Sequence, residues 1–208
     1  MLWLPASSLA EEPKFGFGRL ATPEEISAWD IDVRPDGQGL PKGSGSVSFG
    51  QELYDAKCAS CHGTFGEDNQ YMAIAGGVQP GDLERGRASI LSTSQPMRTV
   101  GTKLNHATTL RDYINRAMPF AQPKTLTPNE VYALTAYVLH LNEILPADAT
   151  LEVRAWRAGD RMDSSGGAPR RVKRFLADRR VAAADREGWP VVVADGEIVW
   201  IPGVRRGH

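Results

Sequence analysis

Cysteine is nearly missing from this chain: two residues in 208 are too few for a disulfide framework, and both lie in Cys58-Ala59-Ser60-Cys61-His62. Long apolar runs are missing as well. None approaches the roughly 18 to 20 residues that a membrane-crossing helix needs, which excludes a polytopic membrane protein. Nor is there an excess of one charge. The 24 Lys and Arg are met by 25 Asp and Glu, so a wholly basic nucleic-acid binder and an acidic disordered tail are both excluded. That balance hides an asymmetry: residues 1–150 hold 12 basic against 17 acidic side chains, and residues 151–208 hold 12 against 8. The sign change marks two parts of different history. With 41% hydrophobic residues, the chain can bury a core in one ordinary domain followed by a smaller module.

What is present begins with the cysteine motif. A lone C-x-x-C can be a thiol redox pair or half of a zinc site. Zinc would need a second ligand pair at finger-like spacing, and a thioredoxin-like site would need a βαβ context. Neither occurs in the sequence. The following histidine makes the motif C-x-x-C-H, the pattern for covalent c-type haem. One helical turn brings the sulfurs of Cys58 and Cys61 to the same side for two thioether bonds, and His62 then turns under the ring as proximal iron ligand. The expectation is one covalent haem c, with a thiol redox module as the other reading.

The segment 1–10, MLWLPASSLA, is short and apolar and ends in a small-x-small pattern ahead of Glu11-Glu12, like the end of a signal peptide, although a positively charged stretch is missing from it. Export and a periplasmic location follow as expectations. Residues 11–45 are expected to form an extended arm rich in Gly and Pro, with Thr22-Pro23-Glu24-Glu25 starting one short helix through Trp29. Its turns and aromatics suit a wrap around the domain or a partner-docking segment. Residues 46–150 are expected to form the haem domain. There Ser48, with Gln51 at the box position, is expected to cap a helix running to the cysteines. Residues 63–107 show no sustained period, as suits a loop folded around a cofactor. Thr109-x-x-Asp112 is expected to cap a second helix ending at Met118-Pro119. Thr127-Pro128-Asn129-Glu130 starts a third, with Val131, Leu134, Val138 and Leu141 on one stripe.

The sixth iron ligand should be a thioether or imidazole, which leaves Met72, Met97, Met118, His106 and His140. Met118 is preferred, because it stands before a proline at a helix end and outside any packed stripe. His106 is the runner-up, and His140, on a long helix, is expected to be satisfied locally. The haem-contacting set is therefore Cys58, Cys61, His62 and Met118, with His62 and Met118 on the metal and no catalytic residue in the chain.

The run Gly50-Gln51-Glu52-Leu53-Tyr54 through Cys58-Ala59-Ser60-Cys61-His62, followed by Met118-Pro119-Phe120 and the helix around Tyr137, resembles a class I cytochrome c. A narrower resemblance lies in Phe15-Gly16-Phe17-Gly18-Arg19, Trp29-Asp30-Ile31-Asp32-Val33-Arg34-Pro35-Asp36-Gly37, Gly43-Ser44-Gly45-Ser46-Val47 and Arg116-Ala117-Met118-Pro119-Phe120. Over about residues 15–150 the chain is similar to the SoxD-type cytochrome subunits of bacterial sulfane (sulfite) dehydrogenase. The resemblance implies a mainly α class I cytochrome c fold with an extended N-terminal arm. It also implies an electron-transfer subunit rather than an enzyme. Catalysis would sit on a molybdenum-cofactor, SoxC-like partner, and a soluble cytochrome would take the electrons.

Residues 151–208 form a different unit. Val191 to Ile201 reads as a hairpin turned at Asp195-Gly196, and Arg170 to Arg180 as a basic helix, giving a small basic α+β module. This stretch resembles the C-terminal domain of tRNA(Ile)-lysidine synthetase, which helps to hold tRNA. The resemblance makes tRNA binding the alternative function. Haem attachment implies export whereas tRNA is cytoplasmic, which argues against tRNA as a partner. Ser165-Gly166-Gly167 matches the opening of that family's ATP-binding loop, yet Ala168-Pro169 follows where Asp and Ser are required. A fusion or chimera joined near 149–152 is expected. At 58 residues the module is marginal in size for burying its own core and is expected to be loosely attached.

Overall fold

Helix starts follow side chains that satisfy orphan backbone N–H groups, and two of them stand where the sequence puts them. In the computed structural model the described residues are 18–34, 37, 39–67, 69–79, 81–82, 89–104, 106–164, 167–201 and 204–206, so the signal-peptide expectation for 1–10 lies outside them. The chain divides into two compact units, Met1–Ile31 and Asp32–His208. In the first, α1 (Pro23–Trp29) carries the expected capping box, Thr22 accepting from the Glu25 N–H and Glu25 reaching back to the Thr22 N–H. None of its residues is buried.

The second unit opens with strand β1 (Gly43–Ser46) and α2 (Val47–Lys57). The N-cap of α2 is Ser46 rather than the expected Ser48: Ser46 is extended and its hydroxyl accepts from the Phe49 N–H at 3.2 Å. A short α3 (Ala59–His62) carries the motif, and α4 (Val100–Lys103) follows the loop, capped by Thr99 and Thr102. The next helix, α5 (Ala107–Ala117), starts two residues before Thr109. Its N-cap is His106, without a side-chain cap bond. The longest helix, α6 (Pro128–Leu141), has the full Thr127–Glu130 box. Every residue from Val131 to Leu139 is buried, so α6 is surrounded and the expected single stripe is only part of its contact surface.

After α6 come β2 (Thr150–Ala155), the hairpin β3 (Arg161–Ser164) and β4 (Gly167–Arg171), α7 (Val172–Asp178), α8 (Ala183–Arg186), then β5 (Pro190–Ala194), β6 (Glu197–Ile201) and β7 (Arg205–Arg206). The basic helix is thus shorter than the expected Arg170 to Arg180. The β5–β6 turn falls at Asp195-Gly196, where φ is 50° and 83°, the left-handed pair that a type I′ hairpin requires.

The five-stranded sheet has the order β1-β2-β5-β6-β7. Its edge strand therefore comes from ahead of the motif: Gly43 stands opposite Val153 and Ser46 opposite Thr150, and the Val47 N–H donates to Ala149 at 3.0 Å. Strand alternation then divides β5 between two cores. Val192 joins Leu151 and Val153 in a core with Tyr54, Leu110, Ile114 and α6. Val191 and Val193 join a second core with Met162, Val172, Phe175, Leu176 and Ile201. The module is not loosely attached, because β1–β2 pairing and a shared core tie it to the helices. Within it Arg154 forms a two-pronged pair with Asp160 at 2.7 and 3.1 Å. Burial pushes that carboxyl up, but Arg154 and the Arg157 N–H hold it below its ordinary value overall.

The arm also wraps in its second half. The Tyr132 hydroxyl donates to the Pro41 carbonyl at 2.5 Å, Leu40 packs on the first core, and Asp32 pairs with Arg116 of α5.

Candidate haem site

The Cys58–His62 turn is built by α2 giving way to α3. Cys58 is the C-cap of α2, and its carbonyl accepts from both the Cys61 and the His62 N–H at 3.0 Å. Gly63, with φ 79°, ends the turn in a conformation that a Cβ would strain. Buried Tyr54, one helical turn before Cys58, donates from its hydroxyl to the Gly63 carbonyl at 3.0 Å and packs on the Tyr137 ring at 5.2 Å. The backbone just after His62 is therefore anchored to the α2–α6 core.

Cys58 and Cys61 are free, half-buried thiols. Desolvation is the main effect on Cys58 and pushes its thiol up to about 11. A dithiol redox centre draws on the opposite shift, toward thiolate, so the surroundings of Cys58 do not favour the thiol redox reading. Burial lowers the pKa of His62, favouring the neutral imidazole that ligates iron. Its Nδ1 is buried with no hydrogen-bond partner, and its ring lies 5.8 Å from that of Tyr71.

Met118 comes from a different element, as the half-buried C-cap of α5, with its N–H donating to Ile114 at 3.1 Å. Both α2 and α5 brace on α6, so the segments leading into the motif and into Met118 share one support. The other candidates are placed differently. Met97 lies against Gly76 and Gly77, where an added Cβ would come within 3.4 Å of its methyl and 3.3 Å of its sulfur. Met72 is 80% exposed. The His140 Nδ1–H donates to the Leu145 carbonyl at 2.9 Å, locally satisfied as expected.

Several large apolar side chains next to the expected ligands in sequence stand open: Phe65, Tyr71 and Met72 after the motif, and Phe120, 79% exposed, after Met118. Exposed apolar side chains flanking a turn that holds two thiols and an imidazole suit what a porphyrin would cover. The donor set and its surroundings fit haem c.

Sequence reasoning missed the loop's fastenings. Buried Asn142, just past α6, donates to the Ile74 carbonyl at 3.2 Å and accepts from the Gly101 N–H at 3.0 Å. Buried Asp82 accepts from the N–H groups of Gln79 and Ser89 and from the Ser89 hydroxyl at 2.6 Å. Neither belongs to a recognisable motif. Asn142 has a weak signal, as a polar residue directly after a strongly apolar helix. Among the described residues no group of three or more His, Cys, Asp or Glu could hold a metal ion, and no helix is long and apolar enough to cross a membrane.

Comparison with known proteins divides the chain at the same place. Residues 47–142 match the cytochrome c family, and residues 151–207 match the TilS substrate C-terminal domain. The sulfane dehydrogenase SoxCD from Paracoccus pantotrophus is a structural neighbour at 41% identity and a TM-score of 0.59, covering 67% of this chain and 64% of that one. The tRNA(Ile)-lysidine synthases of Bacillus subtilis and Lactiplantibacillus plantarum match over 58 residues, 27% of this chain, at 38% and 45% identity. The match spans only 12% and 13% of those synthases' length. The chain thus joins a segment similar to cytochrome c to one similar to the C-terminal domain of TilS.

Proposed function

We propose that this protein is an electron-transfer cytochrome of sulfur oxidation, working outside the cytoplasm beside a molybdenum-cofactor subunit that carries the catalysis. The observation that carries this reading is the Cys58–His62 turn, which holds two thiols and a neutral imidazole within the segment matching cytochrome c. Its likeness to SoxCD supplies the sulfur-oxidising context.

Cys58 and Cys61 would tether one haem through thioethers, and His62 and Met118 would be its axial ligands. When bound, the haem supplies a one-electron ferric/ferrous couple. The chain's own residues do the rest. Tyr54 fixes the turn after His62, α5 presents Met118, and Asn142 and Asp82 hold the surrounding loop in shape. Apolar side chains such as Phe65 and Tyr71 would keep water from the porphyrin faces. The electrons would come singly from the molybdenum partner and leave to a soluble cytochrome.

The test mixes the haem-loaded full chain with a purified SoxC-type molybdenum subunit and a reduced sulfur substrate in a stopped-flow spectrometer. Haem reduction is expected only when both partner and substrate are present. Oxidation of substrate with no reduction of the haem would contradict the role.

A second reading rests on the module. The exposed cations Arg171, Lys173, Arg174, Arg179 and Arg180 lie on or beside α7, in a segment matching the TilS substrate C-terminal domain. Such a surface suits phosphate contacts, and salt-dependent tRNA binding by the full chain would favour it. It is the weaker reading, because covalent haem and tRNA belong to different compartments.

A further inference from the structure

Burial fixes the first part of α5 and then stops. Thr108, Leu110, Arg111 and Ile114 are buried, and the Arg111 guanidinium lies over the Tyr132 ring of α6, 5.5 Å from its centroid. None of the described residues from 115 to 125 is buried, and Met118 stands within that stretch. Side-chain packing therefore holds the approach to Met118 less firmly than it holds the start of the helix.

A carboxylate of the arm meets this last turn from outside the helix. Arg116, two residues before Met118, donates through Nε to both oxygens of Asp112 at 2.9 and 2.8 Å, and through a terminal nitrogen to Asp32. One guanidinium thus bridges helix and arm. It does so in a network of three charges, the arrangement in which a surface ion pair has a measurable effect.

Asp32 is exposed, but its backbone is fixed. A Cβ at Gly39, where φ is 84°, would collide with the Asp32 carbonyl oxygen, so the arm folds back closely on itself there. The next residue, Leu40, packs on the first core, and the Pro41 carbonyl accepts from the Tyr132 hydroxyl. The segment that carries Asp32 is anchored on α6, the same helix on which α5 rests.

We infer that Asp32 is a positioning residue for Met118: through Arg116 it straps the last turn of α5 to the arm and so keeps the thioether on the iron. This rests on the reading of Met118 as axial ligand. An exposed carboxylate adds little to the stability of the whole fold. Its effect is local, on how often the unburied stretch opens and lets the sulfur leave.

The experiment uses the full haem-loaded chain in the ferric state, as wild type, Asp32→Ala, Asp32→Glu, Arg116→Gln and the double variant Asp32→Ala with Arg116→Gln. Imidazole at saturating concentration takes the iron only after the thioether has left, so the limiting rate of the spectral change in a stopped-flow spectrometer reads that opening. Asp32→Ala is expected to raise the limiting rate about two- to five-fold, the size an exposed ion pair supports, with a denaturant midpoint near that of wild type. Asp32→Glu restores most of the wild-type rate. Arg116→Gln raises the rate at least as far, and adding Asp32→Ala to it changes nothing more. An unchanged limiting rate in Asp32→Ala would overturn the inference. So would a rise of the same size in the Arg116→Gln background, because the carboxylate would then act without the guanidinium. A wild-type protein that binds haem but lacks the sulfur-to-iron band would instead count against Met118 as ligand, a distinguishable failure.

Discussion

Met118→Ala in the oxidised, haem-loaded protein is expected to abolish the weak long-wavelength sulfur-to-iron band. It should also lower the reduction potential by on the order of 0.1–0.3 V, part of the ~0.8 V that axial ligand choice spans. A thioether favours the ferrous state, so its loss stabilises ferric iron. Of the other methionines, Met97 lies against the Gly76–Gly77 backbone and Met72 is open to solvent. Met118, in contrast, ends α5 in an extended conformation, with φ −121° and ψ 147°, at a point braced by the Ile114 carbonyl. Optical and potentiometric titration of the variant is the check. A band that survives Met118→Ala and disappears in Met97→Ala would assign the thioether to the other methionine.

Gly50→Val is expected to destabilise the protein by about 3 kcal/mol or more and to prevent haem retention. A Cβ at Gly50 would stand 2.0 Å from the Ala133 carbonyl oxygen, and one at Gly45 would stand 2.1 Å from the Ala133 nitrogen. Ala133 is thus gripped from two sides by bare backbone, once by α2 and once by β1. Both clashes are with main-chain atoms, which cannot rotate aside, so the crossing of α2 and α6 must open. The same grip holds β1 in place to pair with β2, and the damage should reach the C-terminal module through the shared core. Chemical denaturation followed at the haem band and by tryptophan fluorescence measures both. A variant as stable as wild type would mean that α2 and α6 do not approach so closely.

Much of this was legible where one short pattern carries a whole mechanism. The boxes at 22–25 and 127–130 place helix starts because their side chains satisfy specific N–H groups, and Asp195-Gly196 places a hairpin because both residues accept left-handed backbone. C-x-x-C-H is of the same kind. Ser46 was displaced in favour of Ser48 because both precede a helical pattern and only the backbone decides which hydroxyl faces the Phe49 N–H. Strand β1 was hidden because Gly43-Ser44-Gly45-Ser46 has no hydrophobic alternation, and its pairing is fixed by α6 and β2, far along the chain. The attachment of the module was hidden for a related reason. Its 58 residues look marginal alone, but Leu151, Val153 and Val192 complete a core begun by the helices. Arg111 and Asn142 had no signal beyond an unusual polar residue in apolar company.

The most direct test is the intact mass of the denatured full chain, expressed with an export signal and a haem-attachment system, together with pyridine haemochrome analysis. The expected result is one haem per chain that survives denaturation and acid extraction and is lost when Cys58 and Cys61 are both replaced by serine. A chain whose mass equals the polypeptide alone, or whose haem washes out on unfolding, would contradict covalent attachment at Cys58 and Cys61 and with it the reading of this protein as a c-type electron carrier.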